Sequence, residues 1–407
     1  MRLAVTGFVS EQAGSVASAN ALLLRQLLQQ GHAIEFFSKA TFVDPRPAVG
    51  NHSAFGFVDV PNVWPDRWRR KVQKIPVLGF AAAQFDAWTY HRHLVQAMAK
   101  RHADRRYDAC LWLGDFARGR VPGTANVSYL QGAPGTDARS ILERSEEIRR
   151  LAGLSTAVRW ELLARLRLTS LGLPPFAHSD RWIVGSTMSA QTMRRLYGIA
   201  EDKICTLPYP IDLELFQPGE SVPGDAGGLR VLWLGRIVPR KRLDLFLDGA
   251  VLAIRGGMDV RLSVVGEVGF VRGYEKLIAA FPYPDRLEYR AGIARREVPA
   301  LLRRHDVLAQ PSDEENFGSS VAEAQACGLP VIVGRTNGNA DYLCSRDFHL
   351  RDDRPETLAA ALGELVRRKK RGDLGAPAES RQLAEERFRL ERVAGRLTEI
   401  LESVVRS

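Results

Sequence analysis

The sequence predicts an α/β protein made of two doubly wound domains, each with a parallel sheet. Three observations carry that expectation. Short apolar runs alternate with longer helical stretches, two such series follow one another across a junction rich in proline and glycine, and 407 residues exceed one comfortable core.

The first series opens with "RLAVTGFV", a strand-like apolar run. "EQAGSVASANALLLRQLLQQGHAIEFFS" then reads as a glycine loop, a helix with leucines at helical spacing, a glycine stop and a second strand, which is one βαβ unit. "ACLWLG", "ANVSYLQG" and "RWIVGS" read as further strands whose crossovers lie between them. The junction is "YPIDLELFQPGESVPGDAGG". Beyond it the strands are "LRVLWLGRI", "VRLSVVGEV", "RLEYRAGI", "VLAQPS" and "LPVIVG", alternating with helical stretches such as "KRLDLFLDGAVLAIRGG" and "REVPALLRRH".

The last stretch, "ESRQLAEERFRLERVAGRLTEILESVV", is an amphipathic helical pattern with Phe388, Val393, Leu397, Ile400 and Leu401 available for one face. The expected division is an N-terminal domain over 1–208, a C-terminal domain over 209–383, and a closing helix over 384–407 that packs back on the first. Two domains joined near residue 210 leave a cleft, and ligands of such sheets sit at the carboxyl ends of the strands.

Composition is that of a globular enzyme, 45% apolar and 26% charged, which disfavours disorder and fibrous repeats. The four cysteines are scattered, so neither a disulfide framework nor a zinc site is indicated, and a reducing compartment fits. "MRLAVTGFV" reads as a first strand rather than a signal peptide, and no run approaches the roughly 18 apolar residues that span a bilayer. A cytoplasmic location is expected. The net charge of +10 is lopsided. Residues 1–200 hold 26 Lys and Arg against 15 Asp and Glu, or +11, whereas residues 201–407 hold 31 against 32, or −1. The first domain is therefore the half suited to anionic partners.

Chemistry concentrates in the second series. "LWLGRIVPRKRLDLF" sets Arg236 directly after a strand and a glycine, with Lys241 five positions on as the next helix begins. A guanidinium fork and a mobile ammonium suit a diphosphate; the plain alternative is a solvated "RKR" surface run. "EENFGSSVAEAQACGLPVIV" carries Glu315 and Glu323 eight positions apart. Ser319 or Ser320 would cap the helix, its first amides would form an anion site, and Gly318 would let backbone approach a ligand. The alternative for Glu323 is a capping box with Ser320, and for Glu315 a solvated acid beside Asp313 and Glu314.

In combination, "GRIVPRK" followed by E-x7-E inside "PSDEENFGSSVAEAQACGLPVIV" resembles glycosyltransferase family 4, a large retaining group with the GT-B fold of two Rossmann-like domains facing each other across a cleft. Weaker matches extend over most of the chain: the "AGS" loop, "WIVGST", "LPYPIDLELFQP", "SVVGE", "PETLAAALGELV" and "RFRLERVAGRL". The resemblance implies a nucleotide-sugar donor, UDP- or GDP-linked, held mainly by the C-terminal domain, and a glycan, lipid-linked or small-molecule acceptor in the N-terminal one. Polysaccharide or glycoconjugate biosynthesis is the implied setting. It further implies that Arg236 and Lys241 hold the donor diphosphate, that Glu323 accepts from the ribose hydroxyls, and that Glu315 touches the transferred sugar. Backbone around Asn316, Phe317, Gly318, Ser319 and Ser320 would bind sugar and phosphates, Gly14 would let the first domain approach the donor, and Ile293 would contact the base.

Two departures stand out. The histidine that many members carry at the end of an N-domain strand corresponds to Gln131 here, which hydrogen-bonds but is no general base near neutral pH. The usual linker "NG" is replaced by Tyr209-Pro210. No D-x-D follows a strand to hold a divalent ion, so metal-independent transfer without a cofactor is expected.

"WPDRWRRKVQKIPVLGF" interleaves Trp64 and Trp68 with Arg67, Arg69, Arg70, Lys71 and Lys74, and "RWELLARLRLTSLGLPPF" repeats the theme around Trp160. Such stretches suit peripheral contact with anionic lipid, or else a helix covering its own core. Nucleic acid is disfavoured because no zinc finger, basic zipper or RNA-recognition signature is present. A sugar-nucleotide epimerase on the same fold and a non-catalytic glycan-binding relative are the competing readings.

Overall fold

The computed structural model describes residues 1–10, 15–39, 43–61, 76–172, 176–219 and 227–406. Gly14 and the basic aromatic stretch over residues 64–74 therefore lie outside the described residues.

The first sheet has seven strands: β1 Arg2–Gly7, β2 Ala33–Ser38, β3 Phe55–Asp59, β4 Ala109–Leu113, β5 Ala125–Tyr129, β6 Arg181–Val184 and β7 Ile204–Thr206. All pairings are parallel, in the order β3-β2-β1-β4-β5-β6-β7. The second sheet has six: β8 Leu229–Leu234, β9 Val260–Val265, β10 Leu287–Arg290, β11 Val307–Gln310, β12 Val331–Val333 and β13 Phe348–His349. They are also parallel, in the order β10-β9-β8-β11-β12-β13. Each sheet reverses its winding once, between β1 and β4 and between β8 and β11, which is the doubly wound pattern. The central strands are mostly apolar because helices cover both faces; all five residues of β4 and all four of β11, Gln310 included, are buried.

Just past the carboxyl ends of paired strands the backbones nearly touch. A Cβ on Gly7 would stand 2.0 Å from Leu113 O, and one on Gly266, just past β9, would stand 1.7 Å from Gly235 O. Only glycine fits at either place.

The chain divides into two compact units: Met1–Pro134, Leu166–Pro210 and Leu390–Ser407 form the first, and Gly135–Arg165 with Ile211–Arg389 form the second. Two features differ from the expected 1–208 and 209–383. Residues 135–165 pack with the second unit, pinned by Tyr274 Oη donating to Glu147 Oε2 at 2.9 Å and Lys276 Nζ to Leu151 O at 2.8 Å. Trp160 lies against Phe270 with centroids 5.2 Å apart and rings tilted by 53°, both half-buried, so that ring packs on protein.

The closing helix is also two. Pro377–Phe388 ends at Arg389, whose extended backbone (φ −59°, ψ 131°) breaks the run before Leu390–Val405. Val393, Leu397, Ile400 and Leu401 are buried in the first unit, where Thr398 Oγ1 donates to Gln30 Oε1 at 2.9 Å. Phe388 is buried in the second unit against Phe317 and Tyr342. The single apolar face read from the sequence thus serves two cores.

Candidate active site

The residues at the carboxyl end of β8 are placed by what is buried on either side of them. Ile237 and Val238 are 0% and 1% exposed, so the chain is anchored just past Arg236 and the guanidinium is left outside. Among the described residues nothing holds Arg236 in a hydrogen bond or ion pair. A 3-10 turn, Pro239–Lys241, and a left-handed Arg242 (φ 53°) lead into the helix Leu243–Arg255. Trp233 Nε1 donates to Lys241 O at 3.3 Å and fixes that turn from beneath.

Lys241 and Arg240 converge on one oxygen of Glu315. Arg240 Nη1 donates to Glu315 Oε2 at 2.9 Å, Lys241 Nζ pairs with the same atom, and Arg240 Nε reaches Asp137 Oδ1 at 2.7 Å. Burial works against ionising Glu315, yet Lys241 and then Arg240 hold its carboxyl down at about 2. Lys241 is shifted down as well: burial disfavours its ammonium, and repulsion from Arg240 and Arg236 offsets the attraction of Glu315. Both pKa values fall, which favours charge on Glu315 and disfavours it on Lys241, because the carboxylate faces two cations whereas the ammonium faces one anion and two like charges. Burial also disfavours charge on Arg240, but Glu315 and Asp137 together push its pKa up.

Neither acid beside Glu315 is solvated. Asp313 pairs with Arg144 and lies 3.5 Å from Arg242 Nη1. Glu314, at φ 44°, receives Arg139 Nε at 2.9 Å and Nη2 at 2.5 Å, while its N–H goes to Thr336 Oγ1 at 3.0 Å. Three consecutive carboxylates therefore go to three separate sets of cations, and Arg139 and Arg144 among them come from residues 135–165.

The helix Ser319–Ala326 starts over an aromatic cluster. Phe317 is 4% exposed, with ring centroids 5.2 Å from Phe388 and 5.9 Å from Tyr342, so its side chain anchors the loop. Gly318 is the N-cap, and its N–H donates to Asn339 Oδ1 at 2.5 Å. This corrects one expectation: the Gly318 amide is occupied by protein. Among the described residues no acceptor takes the first-turn amides of Ser319 and Ser320. Ser320 Oγ donates to Gln310 Oε1 at 2.6 Å rather than capping. A capping box is excluded because the helix begins at Ser319 and Glu323 turns to Arg295 Nη1 at 2.8 Å.

Glu323 is 3% exposed and burial pushes its carboxyl up against the opposing pull of Arg295. Arg295 lies 5.1 Å over the Phe216 ring. Asn316 is buried at 2% exposed, and Ile293 is half-buried just before the 3-10 turn Arg295–Glu297.

The second unit thus assembles Arg236, Lys241, Glu315, the Ser319–Ser320 amides and Glu323 at the carboxyl ends of β8 and β11, its switch point. Sequence reasoning missed Arg240, Asp137, Arg295, Gln310 and Asn339. Arg240 stood inside the "RKR" run, and Arg295 two positions past Ile293; neither carried a mark that separated it from its basic neighbours. In the first unit Gln131 follows β5 and is exposed. It sits so close to Gly114 that a Cβ there would stand 2.6 Å from its Nε2.

Residues 223–381 match the model of the glycosyl transferases group 1 family. A D-inositol 3-phosphate glycosyltransferase of Pseudarthrobacter chlorophenolicus is 30% identical over 329 residues, covering 78% of this chain and 73% of that protein. Another, from Segniliparus rotundus, is 30% identical over 176 residues, or 40% of this chain; the chain spans only 38% of its length. Among solved structures, HepE of Anabaena in complex with UDP and glucose superposes with a TM-score of 0.65 at 16% identity, covering 98% of this chain and 99% of that one. At that identity the likeness concerns the fold, the paired Rossmann-like units of GT-B.

Proposed function

The chain belongs to glycosyltransferase family 4, and on that premise we propose that it is a retaining, metal-independent glycosyltransferase. It moves a sugar from a UDP- or GDP-linked donor to a hydroxyl of a glycan, lipid-linked or small-molecule acceptor in cell-surface polysaccharide or glycoconjugate synthesis. The observation that supports this reading is the convergence of Arg240 and Lys241 on Glu315 beside Arg236, which is exposed and has no partner among the described residues.

In this reading Arg236 and Lys241 grip the diphosphate and stabilise the charge that builds as it leaves. The Ser319 and Ser320 amides add donors from a helix start. Glu315, held ionised, orients hydroxyls of the transferred sugar, and Glu323 accepts from the ribose. Front-side attack keeps the anomer: the C1–phosphate oxygen bond breaks, the C1–acceptor oxygen bond forms, and the acceptor proton passes to the departing phosphate. Gln131 contributes hydrogen bonds on the acceptor side. Protein cations supply the neutralisation a divalent ion would otherwise give.

Peripheral attachment to anionic membrane is part of the proposal. Leu154, Val158 and Leu162 stand four residues apart on one helix at 61%, 52% and 44% exposed, with exposed Arg159 and Arg165 alongside. Among the described residues no helix is long and apolar enough to cross a membrane.

The test is a thermal-shift screen of UDP, GDP and ADP followed by their sugars, with product anomers assigned by NMR and turnover measured with and without chelator. Stabilisation by one nucleotide and transfer with retention support the reading. Inversion, activity that vanishes with chelator and returns with magnesium, or donor epimerised without acceptor each overturns part of it.

A further inference from the structure

A cavity of about 320 Å³ opens in the first unit beyond the carboxyl ends of β1, β2 and β4. It lies where that sheet reverses its winding, between β1 and β4. Its size is at the low end for small-molecule sites. None of the described site residues discussed above lines it.

One wall is aromatic, from Trp112 on β4 and Tyr90 on the helix Pro76–Arg105. The polar lining is short and specific. His91 Nδ1 faces Ala87 O at 2.6 Å and Nε2 faces Asp115 Oδ2 at 3.2 Å. Both ring nitrogens are thus engaged by protein groups. Asp115 also receives the Phe116 N–H at 2.9 Å, which leaves lone pairs for a ligand. Thr6 lines the cavity at only 7% exposed, and among the described residues its hydroxyl has no protein partner. Ser38 and Asp86 add a hydroxyl oxygen and a second carboxylate.

The balance of charge sets the ligand class. Among the described residues two carboxylates and one histidine line this space, and no lysine or arginine does. Burial alone would raise the Asp115 carboxyl, but the His91 hydrogen bond and charge, with Arg118 nearby, hold it below its ordinary value. Among the described residues a phosphate here would meet two negative groups and no lysine or arginine. Ring hydroxyls would instead donate to carboxylates while the apolar ring face lies on aromatic surface. This is opposite to the excess of basic residues over the sequence of the first half.

We propose that this cavity binds an uncharged polyhydroxylated ring, a sugar or cyclitol, through Asp115, Asp86 and Thr6, and that it selects against phosphorylated rings. That the ring is the acceptor rests on the transferase reading above; binding itself does not.

Saturation-transfer NMR on the full-length protein without any nucleotide sugar tests it, with methyl glucoside and myo-inositol as neutral probes and glucose 6-phosphate as the anionic one. A neutral probe binds at least about tenfold more tightly than the phosphate, and Asp115→Asn weakens it by about tenfold or more, the worth of one charge-assisted hydrogen bond. Ala87→Phe, which fills the space, abolishes the signal. Should Asp115→Asn fail to fold, Asp86→Asn on the half-exposed helix serves in its place. Equal or tighter binding of glucose 6-phosphate, or a signal untouched by Ala87→Phe, overturns the assignment. Rings that bind while no nucleotide sugar is ever turned over sink the transferase reading and leave the cavity standing; turnover without ring binding does the reverse.

Discussion

Arg240 Nη1 lies 2.9 Å from Glu315 Oε2, the same oxygen that takes the Lys241 ammonium. Counting Arg236, Arg240 and Lys241 against Glu315 and Asp137 gives three cations to two carboxylates, a residual +1 at the carboxyl end of the second sheet. A buried pair leaves a large penalty when one partner goes. The cluster is thus both a structural knot and an unbalanced charge suited to an anion.

Glu315→Gln removes the carboxylate that both buried cations share. Transfer should fall by about a hundredfold or more, and the unfolding free energy by about 3 kcal/mol. Steady-state rates at saturating donor and urea melts read the two effects. A variant with ordinary stability and undiminished turnover would remove Glu315 from the mechanism.

The same carboxylate sets an acid limit. Its folded pKa of about 2 lies below the ordinary 4.5, so its contribution is complete above the unfolded value and fades as pH falls from about 5 toward 2. The stability gap between the parent protein and Glu315→Gln should therefore narrow steadily over that window. A gap that stays constant would mean the carboxylate does not titrate low.

Glu323 and Arg295 form a pair in which each partner is poorly served without the other. Glu323→Ala should weaken binding of the nucleotide donor in titration, and Arg295→Ala should do so too by leaving a buried acid unmatched. The double variant should lose less than the sum, with a coupling of about 1–3 kcal/mol. Donor affinity unchanged in Glu323→Ala would leave the carboxylate a purely structural role.

Residues 135–165 are held on the second unit by charge. Arg144→Ala leaves Asp313, whose carboxyl burial already pushes up, with only the more distant Arg242 at 3.5 Å, and should cost roughly 3 kcal/mol. Hydrogen exchange over 136–152 should quicken. Arg149→Ala, whose partner Glu161 lies 3.9 Å away at the surface, should cost under about 1 kcal/mol. Equal effects of the two would argue against a specific clamp.

The stripe Leu154, Val158 and Leu162 predicts vesicle binding that depends on both apolar and charge terms. Cosedimentation with anionic vesicles should exceed that with neutral ones, and it should drop severalfold when Leu154→Asp and Leu162→Asp are combined on either side of Val158. Absence from both pellets would remove membrane attachment.

The central strands were legible because each is a short, mainly apolar run, as a sheet covered on both faces requires. The three strands that sequence patterning passed over, β3, β7 and β13, are all at sheet edges, and none holds a fully buried residue. A half-exposed strand of two to five residues carries too little periodicity to stand out from a loop.

Local order therefore determined the two α/β series, their junction, and the short list of charged residues at strand ends, because spacing along a strand or helix decides which side chains leave the sheet together. Tertiary structure alone decided which partner each charge takes: Arg240 and Lys241 for Glu315, Arg295 for Glu323, Arg139 and Arg144 for the two acids before Glu315. It also split the final helix at Arg389 and assigned residues 135–165 to the second unit. Those choices depend on contacts between residues 28 to 175 positions apart, where ion pairing and burial act through space and leave no periodic trace in the chain.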